Sequence, residues 1–329
     1  MFGNIQAMRS LGKWATLGII PVMVIMLFML NRTVNSGSET AEPPESGVLV
    51  VASLRDESIT IYTFGDEPGS QFLSLGGVPH EMAEAAGRLY LTSTEPSQLI
   101  EILPGLPGVL RTVDLPGSAH GLAIYEEFIW VTIEETNELL KIELKSLVVS
   151  LRWGTRVAPH TVAISETGVP FVVTAQTDNI TSYGLVSKEE RTGSFPESVA
   201  VVGEWVVTGN ANGSSLSVFL VDDLTPLGDI ELDGRPVRVL AIDDKRVAVS
   251  MHGVNKVVIV DLVEGRVTET FDAGGRPDGL CLTLDGAYLA IVSNADDVVQ
   301  VRSTENWAVA IQIPTTDGPG ACLWLSEGD

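Results

Sequence analysis

Seven short turns recur along this chain at a nearly constant interval. Their key residues are Pro79, Ala119, Pro159, Pro196, Pro236, Pro277 and Pro319, spaced 40, 40, 37, 40, 41 and 42 apart. The clearest unit covers residues 274–314. A Gly/Pro turn leads into "GLCLTL", a DG turn into "AYLAIVS", an Asn/Asp turn into "VVQVRS" and a polar turn into "WAVAIQI". Each run is short, rich in β-branched and aromatic residues and bounded by turn formers, which is the pattern of strands joined by hairpins. No segment from residue 47 onward sustains a helical apolar period.

Four short strands every 40 or so residues predict an all-β chain, and specifically a β-propeller rather than a sandwich. The chain ends carry the count. The last unit stops after one strand, "ACLWLS" at 321–326, and the first unit lacks that strand and begins at "GVLVVAS", 47–53. A C-terminal inner strand joining the N-terminal blade closes the ring and removes an unpaired edge. Six complete units and one composite predict a seven-bladed propeller with four-stranded blades over 47–329.

The units "RPDGLCLTLDGAYLAIVSNADDVVQV" and "RPVRVLAIDDKRVAVSMHGVNKVVIVD" resemble the YVTN family of seven-bladed propellers. Blades two and three are similar to its streptogramin-lyase-like relatives, as in "AHGLAIYEEFIWVTIEETNELLKI". The resemblance covers about 47–329 and implies the fold. For blades two and three it also implies a metal held by His and carboxylates on the turn-bearing face, supporting ring opening of a lactone-type substrate. Only the turn histidines of this chain match that pattern. Propellers host binding modules and unrelated enzymes alike.

The chain has four histidines, and three of them stand directly after the turn residue. That position begins the innermost strand, at the mouth of the central channel. Around the ring it reads His80, His120, His160, Glu197, Val237, Asp278 and Gly320. His252, in "SMHGVNK", is expected in a loop on the same face. Neutral imidazoles with a carboxylate suit a divalent ion such as Zn²⁺, Fe²⁺ or Cu²⁺, with His80, His120 and His160 as its ligands. Two blander readings stand beside this one. The rim can bind a ligand without metal, or the histidines can be copies of one ancestral turn. No G-x-S-x-G, Walker-type loop or G-x-G-x-x-G occurs.

Residues 14–30, "WATLGIIPVMVIMLFML", form an uncharged apolar run long enough to span a bilayer. Arg9 and Lys13 precede it, and acidic residues dominate the stretch after it. This predicts a cytoplasmic tail over 1–13, a transmembrane anchor over 14–30, a flexible linker over 31–46 and an extracytoplasmic propeller. A cleaved signal peptide is the rival and leaves the propeller on the same side. Net charge is −23, from 20 Lys+Arg against 43 Asp+Glu, which disfavours nucleic acid as a partner. Cys281 and Cys322 form no CxxC pair. Two buried thiols are the favoured reading, with a disulfide left open. Function then divides between a membrane-tethered binding or assembly module with a protein partner at the membrane, and a metal-dependent lyase or lactonase working at the histidine rim.

Overall fold

The computed structural model describes residues 41–106 and 108–326. Each repeat folds into one antiparallel sheet of four strands, and there are seven such sheets. The inner strands start where the turn residues predict. They are Pro79–Ala85, Ala119–Tyr125, Pro159–Ile164, Pro196–Val202, Arg235–Ala241 and Pro277–Leu282 for blades two to seven. Blade one takes its inner strand, Pro319–Leu325, from the far end of the chain. That strand pairs with Gly47–Ser53 from Val48↔Leu325 to Ser53↔Pro319. The seven-bladed ring read from the repeat is thus observed.

Turn chemistry explains both the local folds and the coupling between blades. In six of the seven blades the turn linking second and third strands carries a left-handed residue, and in four it is Asn or Asp: Asn137, Asp178, Asn255 and Asp297, with φ of 55°, 53°, 57° and 52°. Asn and Asp tolerate this region better than other side chains. In all four, Oδ1 accepts the N–H of the residue just before the next blade's turn position, namely Ala158, Phe195, Arg276 and Gly318, at 2.8–3.0 Å. The same residue therefore shapes its own hairpin and fastens the neighbouring blade. In every blade a backbone carbonyl at this turn also accepts the N–H that follows the outermost strand, as Glu57 does from Leu75 and Asn255 from Ala273.

The apolar core is distributed between blades. Val50, Ala52, Ile59 and Ile61 of blade one pack with Met82, Leu89, Leu91 and Ile100 of blade two. Val207 and Leu216 of blade five pack likewise with Val239, Val247 and Val249 of blade six. Each fully buried aliphatic side chain of this kind contributes about 1.5–3 kcal/mol. Trp130 stacks on Trp153 of its own blade, and Trp307 of blade seven on Phe271 of blade six.

Two expectations need adjusting. Cys281 and Cys322 are joined in a disulfide, not held as separate thiols. The reason is topological. Ring closure makes the blade-seven inner strand a neighbour of Pro319–Leu325, and it brings the two Cα atoms to 5.8 Å, inside bridging range. The last residues of the linker are also docked. Pro44 is buried, and the Tyr288 hydroxyl donates to the Glu42 carbonyl at 3.1 Å. The predicted tail over 1–13, the anchor over 14–30 and linker residues 31–40 lie outside the described residues. Among the described residues no helix is long and apolar enough to cross a membrane.

The disulfide closes a loop with a sequence separation of 41. Cross-linking a loop of that length is worth about 3–4 kcal/mol through the unfolded chain. Cys281→Ser should therefore lower unfolding free energy by about that amount, read by urea denaturation under non-reducing conditions. An unchanged midpoint would show that the bridge does not stabilise the ring.

Candidate metal and ligand site at the channel mouth

All seven inner strands lose register with their second strand at the channel mouth. A β-bulge bends the strand and re-aims the side chains beside it. The bulge falls where His80, His120 and His160 stand. Threonines on the second strands hold these segments together. Thr92 Oγ1 accepts from the Glu81 N–H and donates to the His120 carbonyl. Thr132 Oγ1 accepts from the Gly121 N–H and donates to the His160 carbonyl. Gly121 has no alternative here, because a Cβ would lie 2.7 Å from the His160 oxygen and 2.8 Å from Thr161 Cα.

The three histidines converge. Their ring centroids are 4.4, 5.0 and 5.9 Å apart, and one nitrogen from each lies within 4.8 Å of the other two. Two of the rings have one nitrogen committed to a fixed partner. His120 Nε2 meets Glu134 Oε2 at 2.8 Å, and His160 Nδ1 meets the Glu197 carbonyl at 2.8 Å. The Nδ1 atoms of His80 and His120 are buried with no hydrogen-bond partner. Burial, reinforced by the neighbouring imidazoles and Arg238, holds His80 well below the usual histidine range. Burial and His120 pull His160 down to about 4. Both rings are therefore neutral at pH 7, with lone pairs to offer. The hydrogen bond from His120 keeps Glu134 ionised, below the usual carboxylate range.

Across the mouth stands Arg238, from the inner strand of blade six. It hydrogen-bonds Glu81 of blade two through Nη1, and its Nη2 lies 3.8 Å from Asp278 Oδ1 of blade seven. Glu81, Asp278 and Glu197 outweigh the cost of burial and keep this guanidinium protonated. Its Nε is buried and unpartnered. Asp278 is pushed up to about 6 by burial, with Arg238 opposing and Glu81 adding to the shift.

Of the residues singled out from sequence, His80, His120 and His160 come together as one cluster. Asp278 joins through Arg238. Glu197 contributes its carbonyl to His160, while its carboxylate turns to Arg235 Nη2 at 2.5 Å. His252 ends the strand Arg246–His252 instead of lying in a loop, and it stays outside the cluster. Burial and the cations Arg276 and Arg235 lower it to about 4. Glu81, Glu134 and Arg238 went unread. Glu81 and Arg238 each stand two residues past a turn proline, at a position exposed to the mouth by a bulge that strict alternation does not anticipate.

Comparison with known proteins locates the fold. No family model and no curated protein matches the chain. Solved structures do. A functionally unknown protein from Desulfotomaculum acetoxidans aligns with a TM-score of 0.74 at 15% identity, over 85% of this chain and 99% of that one. A protein from Lactobacillus plantarum gives 0.72 at 15% identity, over 85% and 100%. A Bacteroides fragilis protein, provisionally assigned as a 6-phosphogluconolactonase, gives 0.71 at 15% identity, over 88% and 100%. At that identity the likeness is one of fold.

The histidines carry a pH signature. His80, His160 and His252 have folded values below the unfolded 6.5, so the unfolded chain binds more protons as pH falls below 6.5. Stability is then lost between pH 6.5 and about 4. Asp278 works the other way, because its folded value is raised from 3.8 to about 6. Three imidazoles outweigh one carboxyl over this window. In metal-free buffer the melting temperature should fall from pH 6.5 to 4.5, and His160→Gln should flatten that decline. Identical slopes for both proteins would contradict neutral burial of His160.

Proposed function

We propose that the mouth binds one divalent transition-metal ion through His80, His120 and His160, and that the site acts on a carbonyl-bearing small molecule as a lactonase or lyase does. The observation carrying this reading is the convergence of three imidazoles, with Nδ1 of His80 and of His120 buried and unpartnered. The donor set fits the ion. His80 and His160 are neutral, and the Glu134 carboxylate behind His120 is the outer partner that metal-bound histidines commonly have. A tetrahedral ion with bonds of about 2.0–2.1 Å spaces its nitrogens about 3.4 Å apart. The observed limit of 4.8 Å therefore calls for only small ring movements.

A bound dication would supply Lewis acidity toward a carbonyl or a water molecule. The chain's own residues do the rest. Glu134 and the Glu197 carbonyl fix two imidazole tautomers. Arg238 presents a positive charge opposite the histidines. Asp278, raised to about 6, can hold or release a proton near neutral pH. The lactonase assignment of the Bacteroides protein and the streptogramin-lyase-like turns of blades two and three agree with this chemistry. On this reading the chain is a YVTN-type propeller tethered by residues 14–30 on the extracytoplasmic side. A disulfide, which persists mainly in oxidising compartments, is in keeping with that placement.

A second reading is a tethered binding module with a protein partner in a membrane complex. The apolar run 14–30 and the tight packing of the mouth favour it. His80, His120 and Arg238 retain only 16–20% side-chain exposure. A cavity of about 680 Å³ lies instead between blades two and three, lined by Arg88, Tyr90, Glu101, Arg111 and Phe128.

Elemental analysis of the full-length protein decides for or against the first reading. After incubation with Zn²⁺, Fe²⁺ or Cu²⁺ and desalting, wild type should retain one ion per chain and His120→Ala less than a tenth of that. A metal-free wild type would sink the reading. Stoichiometric co-purification of a membrane protein, unaffected by His120→Ala, would establish the second.

A further inference from the structure

Glu81 sits at the boundary between the histidine cluster and Arg238. Its Oε1 is 3.8 Å from His80 Nδ1, the nitrogen that has no hydrogen-bond partner. The same oxygen accepts from Arg238 Nη1. Two ligand atoms on a common ion with bonds of about 2.0–2.2 Å lie about 3.0–3.5 Å apart. Glu81 Oε1 and His80 Nδ1 are thus already close to ligand spacing. The carboxylate is 16% exposed, so it needs a cationic partner, and the mouth offers two places for one: the guanidinium and the histidine cluster.

We propose that Glu81 is the fourth protein ligand of the metal site, and that Arg238 competes with the metal for it. The inference rests on the three-histidine reading and extends it to a His₃Glu set, suited to a divalent ion of the first transition series. Without metal, Arg238 holds Glu81 from across the channel. When the ion binds, the carboxylate rotates onto it. Arg238 is not stranded by that exchange, because Asp278 Oδ1 already lies 3.8 Å from Nη2. The guanidinium released from Glu81 then faces the mouth beside the ion. Metal binding and Arg238–Glu81 pairing are linked equilibria, each opposing the other.

The test is a double-mutant cycle on the full-length protein, read by isothermal titration with Zn²⁺ and by the visible spectrum of the Co²⁺ form. Glu81→Gln should weaken Zn²⁺ binding about tenfold or more and alter the Co²⁺ bands. Arg238→Met should tighten Zn²⁺ binding about fivefold or more, an effect that a folding defect cannot produce. In the Glu81→Gln background the Arg238→Met gain should vanish. If wild type binds Zn²⁺ and Glu81→Gln binds it equally well, with unchanged Co²⁺ bands, the fourth-ligand proposal is overturned while the three-histidine reading stands. It is overturned equally if Arg238→Met fails to tighten binding, or tightens it to the same extent with and without Glu81. A wild type that binds neither ion removes both.

Discussion

Ring closure is the constraint on which the rest of the structure depends. A propeller ring closes only if its first and last blades meet, and here they meet through one strand, Pro319–Leu325, paired along Gly47–Ser53. Without that strand blade one would expose the edge of Gly47–Ser53, and blade seven would lose the neighbour against which its own inner strand packs. The Cys281–Cys322 bridge lies at this seam. So does Arg55, which meets Asp317 and Asp297 and donates to the Asn294 carbonyl. The same closure sets the geometry of the mouth. Seven inner strands arranged around one axis bring corresponding residues of neighbouring blades within reach of one another.

Repetition explains where the histidines are but not how they are held. Copying one turn places His80, His120 and His160 at the same height on adjacent blades. It does not supply the different partners of their committed nitrogens: a carboxylate for His120 and the Glu197 carbonyl for His160. Those partners decide which lone pair each ring presents. The shared threonines, Thr92 and Thr132, are the repeated part of the design. Glu134, Glu81 and Arg238 are the parts that break the repeat.

The same division governs what could be read from sequence. Blade number, strand order, inner-strand starts and the composite blade were legible, because period, turn residues and short apolar runs are local signals. The alignment of the three histidines followed from the period. Their convergence did not, since it depends on bulges at the head of each inner strand, which shift side chains away from simple alternation. The cross-channel pair Glu81–Arg238 spans 157 residues and carries no local pattern. The disulfide was missed for a related reason. Two cysteines 41 residues apart look unrelated until ring closure makes their strands neighbours. The Asn/Asp turns were legible as turns, but not that Asn255 and Asp297 each fasten the following blade.

The mouth also runs against the fold's own stability. A buried polar nitrogen without a partner costs about 1–3 kcal/mol, and His80, His120 and Arg238 each carry one. An inner ring serving only to pack blades has a cheaper solution, and this chain uses it at the equivalent positions of blades six and one, which are Val237 and Gly320. Blades two, three and four keep imidazoles instead, and Nδ1 of His80 and of His120 is left without a partner. Unsatisfied polar groups that the surrounding structure holds in place tend to mark sites where a ligand completes the bonding. Here the unpartnered nitrogens belong to neighbouring rings on adjacent blades, so one ligand seated at the mouth would meet several of them at once.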